Sequence, residues 1–246
     1  NPTANPFDHQ HTSAWANHIN SGQTDVAYAM TSDVYSNVYV TGSFSGTVDF
    51  EPGPGELLLT SKGSTDAFVY KLDPFGDLVW VKQVGGPQTD MAYDIVVDNN
   101  RDIVITGSFH TIVDFDPGGG IVNIGALGQE DIFVLKLDKN GNYIWARRMG
   151  GGGRDEPQSI DINTSNDIVI AGYFAETADF DPGPNEANLS ANGEEDICIA
   201  SLNSAGEYAW ARSIGGSGFD AARDLDVDAD NNVVVTGFFH NTADFD

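Results

Sequence analysis

Short apolar segments alternate with polar turns along the whole chain, at a spacing typical of β-strands rather than helices. The apolar segments of one representative stretch lie at 94–98, 102–109, 131–138 and 143–149. The first two are rich in β-branched residues and flank a short polar turn, a pattern that predicts a β-hairpin. Asn140-Gly141 joins the last two and is a strong turn signal between strands. The sequence therefore predicts four main strands in this stretch, with a shorter strand between residues 121 and 127.

This pattern returns every 65 residues. Tryptophan, glycine and aspartate mark the period at Trp15, Trp80, Trp145 and Trp210, at Gly42, Gly107, Gly172 and Gly237, and at Asp49, Asp114, Asp179 and Asp244. Four antiparallel strands per repeat are typical of a propeller blade, whereas the rung of a parallel solenoid would be shorter. We therefore expect an all-β fold, a β-propeller built from four-stranded antiparallel blades with one 65-residue repeat per blade.

A single β-propeller domain, or a fragment of one, is expected to cover residues 1–246. The repeats fall at about 13–77, 78–142, 143–207 and 208–246, so that about 3.75 copies are present and the last is incomplete. Three arrangements fit this register. The chain is a fragment of a longer one, or a four-bladed ring with an incomplete last blade, or part of a ring completed between chains. The first of these is our expectation.

The composition shows that the surface of the protein is strongly negative. The chain has 37 acidic and 11 basic residues, a formal net charge of −26. Such a surface repels phosphate backbones and anionic lipid and attracts cations, so we expect neither nucleic-acid binding nor membrane insertion. No apolar run is long enough to cross a bilayer. Cys198 is the only cysteine, which excludes an internal disulfide, and its place in the repeat predicts a small buried hydrophobe.

Three motifs carry a family resemblance: Asp25-Val-Ala27, Val38-Tyr-Val-Thr-Gly42 and Asp66-Ala-Phe-Val-Tyr-Lys-Leu-Asp73. They resemble the bacterial seven-bladed β-propeller repeat family (SBBP-type repeat), and the likeness extends over nearly the whole chain. The Asp-Phe-Asp-Pro-Gly insert at 114–118 is similar to a variant in large secreted bacterial surface proteins. The resemblance implies an extracellular or cell-surface propeller. It implies little about activity, because a fold does not fix a function.

Paired acids are the main chemical candidate. They are Asp49 and Glu51, Asp114 and Asp116, Asp179 and Asp181, and Asp244 and Asp246. Residues two apart on a strand point to one face, roughly 6–7 Å apart, and the phenylalanine between them points the other way. Two such carboxylates can converge on a hard cation, so calcium is a possible cofactor, with further oxygen ligands from the turn or a neighbouring repeat. The competing interpretation is a solvated strand end capped by its turn.

Other repeated residues favour structural roles. The tryptophans are expected to fill space between blades rather than to stack on sugar, and the glycines to mark a bulge or a close backbone approach. The repeated Asp25, Asp90, Asp155 and Asp220 are expected to bind nearby backbone amides. The stretch Asp226-Val-Asp-Ala-Asp230 is interpreted as a hairpin turn, not a calcium loop.

The histidines and the glycine-rich run give weaker signals. His110 and His240 share one repeat position and are expected in exposed loops. His9, His11 and His18 cluster near the start, where a frayed terminus is a simpler interpretation than a transition-metal site. Gly150 to Gly153 lacks the Lys-Ser/Thr and the following helix of a phosphate loop.

The sequence favours a non-catalytic extracellular propeller with a scaffold, adhesion or ligand-binding role. Its partners would be a glycan or a protein surface ligand, with self-assembly through further repeats or chains as a further possibility. One alternative is a carbohydrate-active propeller enzyme, a hydrolase or lyase, which needs a carboxylate pair that breaks the repeat symmetry. The acids considered for such a pair, Glu156, Glu176, Glu194 and Glu195, are interpreted as turn residues that form no set. The other alternative is a structural subunit of a surface filament.

Overall fold

The computed structural model describes residues 15–16, 19, 23–51 and 53–245. All regular structure in these ranges is β-strand, with no helix. Accordingly, none of the described segments forms a helix that could cross a membrane. His9, His11, His18 and Asp246 lie outside the described residues.

Three sets of four antiparallel strands follow one another along the chain, and each set forms one sheet or the main part of one. The first contains β1 (Val26–Ser32), β2 (Val38–Phe44), β5 (Asp66–Leu72) and β6 (Leu78–Val84). The second contains β7 (Met91–Val97), β8 (Ile103–Phe109), β11 (Asp131–Leu137) and β12 (Tyr143–Gly151). The third contains β13 (Asp155–Ile162), β14 (Ile168–Phe174), β17 (Asp196–Leu202) and β18 (Tyr208–Gly216). A fourth unit starts with β19 (Ala221–Val227) and β20 (Val233–Phe238).

The sheets share one axis, lined by the first strand of each. β1 packs on β7, β7 on β13, and β13 on β19, and these first strands form the inner edge of their sheets. Side chains join them: Ser159 Oγ lies 3.0 Å from Asp94 Oδ2 and 3.2 Å from Asp224 Oδ1. Four-stranded sheets arranged radially in this way are the blades of a β-propeller, which confirms the predicted fold class.

The insert in each repeat forms a small hairpin between the second and third strands of its sheet. These hairpins are β3 (Thr47–Asp49) with β4 (Leu58–Thr60), β9 (Ile112–Asp114) with β10 (Asn123–Gly125), and β15 (Thr177–Asp179) with β16 (Asn188–Ser190). In the fourth unit the corresponding strand is β21 (Ala243–Asp244).

The insert strands β15 and β21 also pair with the outer strand of the preceding sheet. Gly150 and Gly151 of β12 pair with Asp179 and Ala178 of β15, and β18 pairs with β21 in the same way. Hence the insert joins adjacent blades by main-chain hydrogen bonds as well as by side chains.

Third-strand side chains fill the space between sheets. Phe133, Leu135 and Leu137 of β11 pack with Ala67 and Val69 of β5. The same alternation on β17 places Cys198, Ala200 and Leu202 against the second sheet. Cys198 is buried as predicted, and burial raises the pKa of its thiol. Full burial of a large apolar side chain stabilises by about 1.5–3 kcal/mol, so these contacts supply much of the cohesion between blades.

Trp80 and Trp145 pack across the junctions between sheets, as predicted. Trp80 in the last strand of the first sheet lies against Gly141, in the β11–β12 turn of the next sheet. Trp145 lies against Gly206 in the same way. Both glycines have positive φ angles, 78° and 76°, and an added Cβ would come within 3.2 Å of the indole ring. Glycine therefore serves both the turn and the close approach of the ring.

The tryptophan strand is the outermost strand of each sheet, whereas the repeats counted from the sequence begin with it. The sheets accordingly begin at Val26, Met91 and Asp155, after the glycine-rich turns. The repeats counted from the sequence and the sheets of the structure therefore share one 65-residue period, but they begin at different points within it.

Candidate functional site

Every first strand carries a bulge at the same place. The pairing of β7 with β8 skips one residue between Ala92 and Asp94, and β1, β13 and β19 have the same break. The repeated glycine lies opposite: Gly107 pairs with Ala92, and a Cβ on Gly107 would overlap the carbonyl oxygen of Met91. The prediction that these glycines mark a bulge and a close backbone approach is confirmed.

The residues skipped at the four bulges are Tyr28, Tyr93, Gln158 and Arg223. Their backbone setting repeats, but the side chain changes from tyrosine in the first two copies to glutamine and arginine in the next two. Neighbours along the axis touch: the rings of Tyr28 and Tyr93 have centroids 5.3 Å apart, and Arg223 donates from Nη1 to Gln158 Oε1 at 2.7 Å. The bulges thus place dissimilar side chains at one end of the inner strands.

Next to this row lies an ion-pair knot that no other copy repeats. The guanidinium of Arg154 binds both Glu130 and Glu156, and it lies 5.3 Å from the ring centroid of Tyr173. Glu130 and Glu156 are each only 6% exposed. Charge-assisted contacts to two buried carboxylates fix the arginine in place, since breaking either would leave a buried charge unpaired.

Aromatic rings extend the knot towards the fourth unit. The centroid of Phe219 lies 5.5 Å from that of Tyr173 and 5.2 Å from that of Phe238. Arg223 lies over the ring of Phe238 at 5.2 Å. We use the name mouth cluster for the bulge residues, the knot and this aromatic extension together: Tyr28, Tyr93, Gln158, Arg223, Glu130, Arg154, Glu156, Tyr173, Phe219 and Phe238.

The mouth cluster offers charge, hydrogen-bond groups and aromatic surface together. Burial, aided by the charge of Glu156, raises the pKa values of the Tyr93 and Tyr173 hydroxyls, so both stay neutral and can donate. Tyr28 is 43% exposed, and its ring presents an open apolar face. Chemically, this combination suits binding of a ligand that has both polar and apolar parts.

The interpretation of Glu156 as a turn residue is wrong. Glu156 lies within strand β13, and it forms a set with Glu130 and Arg154. Glu195 precedes β17 and lies near enough to Arg154 to interact with its charge. Comparison of repeat positions could have singled out Glu156, though not its partners, because Glu156 stands where the other copies have Val26, Met91 and Ala221.

The paired acids lie where the insert hairpins turn. Asp114 Oδ1 accepts from the backbone N–H of Asp116 at 3.1 Å and of Val122 at 2.8 Å, and Asp116 Oδ1 accepts from that of Gly118 at 2.8 Å. The same pattern holds at Asp49 with Glu51 and at Asp179 with Asp181. The N–H groups of Leu57 and Glu51 lower the pKa of Asp49. In the described part of the chain the acids therefore act as turn caps, as the competing interpretation proposed.

Within the described ranges, no group of three or more histidine, cysteine, aspartate or glutamate side chains is placed so that it could hold a metal ion. The phenylalanine between the paired acids points into the core in three copies, where Phe50, Phe115 and Phe180 are 0% exposed. In the fourth unit Phe245 is 64% exposed, which departs from the expected inward orientation. Asp244 lies on β21, whose pairing partner is β18.

A second set of acids is buried beside the glycine pairs at the junctions. Asp90, Asp155 and Asp220 accept hydrogen bonds from the backbone N–H groups of Gly86, Gly151 and Gly216, as predicted. Each has a partner acid at the start of a third strand: Asp66, Asp131 and Asp196, all 0% exposed. Among the described residues, Asp131 Oδ1 and Asp196 Oδ1 lack a hydrogen-bond partner.

The burial and the negative charge of these carboxyl pairs are poorly compensated by their surroundings. Burial, followed by the charge of Asp131, raises the pKa of Asp155 to about 7. Burial raises that of Asp90 to about 6, and the charge of Asp66 acts in the same direction. The junction acids are therefore a structural feature with a pH dependence of their own.

The two loop histidines differ. His240 is exposed as expected, whereas His110 is half-buried with Nδ1 2.6 Å from the carbonyl oxygen of Thr89. Asp228 accepts from the N–H groups of Asp230 and Asn232, so that the stretch from Asp226 is the predicted hairpin turn.

No protein-family model matches the chain. An uncharacterized WD repeat-containing protein of Acanthamoeba polyphaga mimivirus is 24% identical over 259 residues, which cover 92% of this chain and 19% of that protein. The regulatory protein FlaEY of Caulobacter vibrioides is 23% identical over 139 residues, which cover 56% of this chain and 14% of that protein. The chain thus spans less than a fifth of each relative's length. The first likeness agrees with the fold in identifying a β-propeller repeat protein.

Proposed function

We propose that this chain is a non-catalytic interaction propeller that binds a macromolecular partner at the mouth cluster. One observation carries the proposal: three different residue types, tyrosine twice, glutamine and arginine, occupy the equivalent bulges at residues 28, 93, 158 and 223. Positions that pack the blades repeat their side chains, as the tryptophans do. Variation at an accessible site on a repeated backbone is typical of a binding surface carried on a rigid scaffold.

A protein ligand is favoured over a glycan. Tyrosine and arginine dominate the energetics of protein interfaces, and the mouth cluster presents Tyr28, Tyr93 and Arg223 beside a fixed ion-pair knot. The likeness to a WD repeat-containing protein supports an interaction role in general terms. A glycan remains the second ligand class, because Tyr28 presents an open ring next to polar groups.

Location and calcium binding belong to the same proposal. The resemblance to secreted bacterial surface repeats and the charge of −26 support an extracellular or cell-surface scaffold with a role in adhesion. Calcium is proposed to bind the acidic turns of the insert hairpins, where two carboxylates two residues apart both cap the same turn. If blades from different chains packed against each other, the same module would be the subunit of a filament.

The alternative function is enzymatic cleavage of a glycan. A glycoside hydrolase needs one carboxyl group that donates a proton and a second that acts as base or nucleophile. In the mouth cluster, one guanidinium holds both Glu130 and Glu156. That arrangement supports binding rather than proton transfer. Incubation of any bound glycan with the protein and with Glu156→Gln separates the two functions, since an enzyme would release product that the variant does not.

The proposal is tested by screening the protein on paired peptide and glycan arrays. We expect the double variant Tyr28→Ala/Tyr93→Ala to lose at least about tenfold in affinity for the ligands found, the range of an interface hot spot. Phe75→Ala is the matched control, because Phe75 is an aromatic residue 77% exposed in the β5–β6 turn, outside the mouth cluster. Equal binding by both variants would contradict a site at the mouth.

A further inference from the structure

Two neighbouring junctions at the mouth have the same backbone arrangement but different side chains. At the second junction, between the second and third sheets, the main chains of Glu130 and Arg154 form an isolated parallel bridge and their side chains form an ion pair. At the third junction, between the third sheet and the fourth unit, Glu195 and Phe219 form the same main-chain bridge. The acid is therefore present again 65 residues on, whereas phenylalanine stands in place of its arginine.

The first junction, between the first and second sheets, shows that the fold does not require this acid. There Thr65 and Thr89 form the equivalent bridge, and neither side chain carries a charge. The main-chain bridge therefore forms without a carboxylate at this position. Support of the junction does not explain why Glu195 is an acid, since it has phenylalanine rather than arginine opposite it.

Glu195 lies in a strongly negative environment. Burial raises the pKa of its carboxyl group, and the charge of Arg154 lowers that pKa. The charges of Glu156, Glu130 and Glu194 raise the pKa further. Arg154 already binds two of these carboxylates, those of Glu130 and Glu156. Because Glu195 is half-buried and the nearby cation is already engaged, a further cation at this place would stabilise its carboxylate.

Aromatic rings cluster around Phe219, the residue bridged to Glu195. The ring centroids of Tyr173, Phe238 and His240 lie 5.5, 5.2 and 6.2 Å from that of Phe219. Phe219 and Phe238 are half-buried and His240 is exposed, so part of this aromatic surface is open to a partner. A guanidinium that lies over such a ring and beside a carboxylate is stabilised by both contacts.

Two arginines of this chain already lie over aromatic rings at the mouth. The guanidinium of Arg154 lies 5.3 Å from the ring centroid of Tyr173, and that of Arg223 lies 5.2 Å from the ring centroid of Phe238. Arg154 in addition binds Glu130. The second junction therefore shows, within the same chain, how a guanidinium is held between a glutamate and an aromatic ring.

We propose that Glu195 and Phe219 form an arginine site, which binds an arginine side chain of the partner. The incoming guanidinium pairs with Glu195 and stacks on the ring of Phe219. The site adjoins the proposed ligand-binding mouth, so its role rests on that function, and it narrows the ligand to a basic protein segment rather than a neutral glycan. The net charge of −26 supports this choice, because it attracts a basic segment from a distance.

The probe is the acetylated and amidated peptide Gly-Ser-Arg-Ser-Gly, titrated into the full chain at low ionic strength and followed by NMR chemical shifts. The matched control peptide has citrulline in place of arginine, which keeps the shape of the side chain and removes its charge. We expect saturable binding of the arginine peptide, at least about tenfold tighter than the citrulline peptide, the range of a hydrogen bond to a charged group. No binding of the arginine peptide, or equal binding of both peptides, would overturn the proposal.

Two variants with the same change in net charge locate the site. Glu195→Gln removes the carboxylate of the arginine site, and Glu207→Gln removes one from the exposed β17–β18 turn. We expect Glu195→Gln to weaken binding of the arginine peptide at least about tenfold and Glu207→Gln to change it by less than about twofold. Since both variants lose one negative charge, equal affinities of the two would contradict the assignment to Glu195.

Phe219→Arg fills the site from within the chain. This variant recreates at the third junction the pair that Glu130 and Arg154 form at the second, so its own guanidinium is expected to occupy Glu195. Binding of the arginine peptide should then fall at least about tenfold. Unchanged binding by a variant whose circular dichroism shows the native fold would contradict the site, and Glu195→Gln decides the matter if Phe219→Arg does not fold.

The arginine site and the proposed function can fail separately. If the ligands found on arrays lose affinity with Tyr28→Ala/Tyr93→Ala but keep it with Glu195→Gln, the mouth binds its partner without an arginine at Glu195, and the arginine site alone is wrong. If the arginine peptide binds at Glu195 while Tyr28→Ala/Tyr93→Ala leaves every array ligand unaffected, the arginine site is supported and the proposed binding at the tyrosines is wrong.

Discussion

At the scale of single residues, the repeat separates structural positions from functional ones. Phe115 and its two equivalents Phe50 and Phe180 have the same burial in three copies, because each fills the same space. Glu156 has no equivalent acid and lies within a knot of opposite charges. The period could be predicted from the sequence, because the packing residues keep their spacing. The knot could not, since its members lie in different sheets and meet only in the folded chain.

The buried junction acids predict an unusual pH dependence of stability. The pKa of Asp155 is about 7 and that of Asp90 about 6 in the folded state, whereas an unfolded aspartate has a pKa of about 3.9. The folded state therefore binds more protons between about pH 4 and pH 7. Their contribution to stability is complete below about pH 4 and is lost as the pH rises through about 7.

Chemical denaturation at constant ionic strength measures this dependence. We expect the free energy of unfolding to fall by on the order of 2–4 kcal/mol from pH 4.5 to pH 8, and Asp155→Asn to flatten the slope. Asp77→Asn, at an exposed turn acid, is the matched control and should leave the slope unchanged. A free energy of unfolding that rises with pH across this range would contradict the assignment.

At the scale of elements, the insert hairpin joins neighbouring blades. It pairs with the preceding outer strand, and its phenylalanine enters the core of its own blade. The sequence predicted the four main strands and a short additional one, because strand alternation and turn residues are local signals. It did not predict that β15 would extend the second sheet, since pairing between elements so far apart depends on how blades pack.

Two phenylalanine substitutions separate covered from uncovered inserts. Phe115→Ala is expected to reduce the free energy of unfolding by about 3–5 kcal/mol, since it leaves a cavity at a fully buried site. Phe245→Ala at the equivalent position is expected to cost less than about 1 kcal/mol, because that ring is 64% exposed. Denaturant unfolding of the two variants checks the contrast. Equal losses would mean that Phe245 is as buried in solution as its equivalents.

At the scale of the whole molecule, a rigid scaffold carries a large excess of negative charge. Packed sheets hold the mouth cluster at one end of the axis, and the insert strands β15 and β21 lie beside the outer strands β12 and β18. A net charge of −26 destabilises the compact state by self-repulsion, which bound cations would relieve. Fold and charge could be predicted from composition and period. The mouth could not, because it depends on which ends of the inner strands meet.

Calcium is expected to raise the thermal midpoint by at least about 3 °C over chelator at matched ionic strength, which corresponds to roughly 1 kcal/mol for a chain of this size. Asp114→Asn/Asp116→Asn is expected to reduce the increase. Asp77→Asn again serves as the control. Equal thermal midpoints with calcium and with chelator would contradict calcium binding at the acidic turns.

Bulge residues from successive blades converge at one end of the inner strands. Tyr28 and Tyr93 lie 65 residues apart in sequence but have ring centroids 5.3 Å apart. Photo-oxidative dityrosine formation in dilute monomer, mapped by mass spectrometry, tests this contact directly. We predict an intramolecular link between Tyr28 and Tyr93 that Tyr28→Phe abolishes. A monomer in which Tyr28 links instead to Tyr35, or to no tyrosine, would contradict the arrangement of inner strands around one axis.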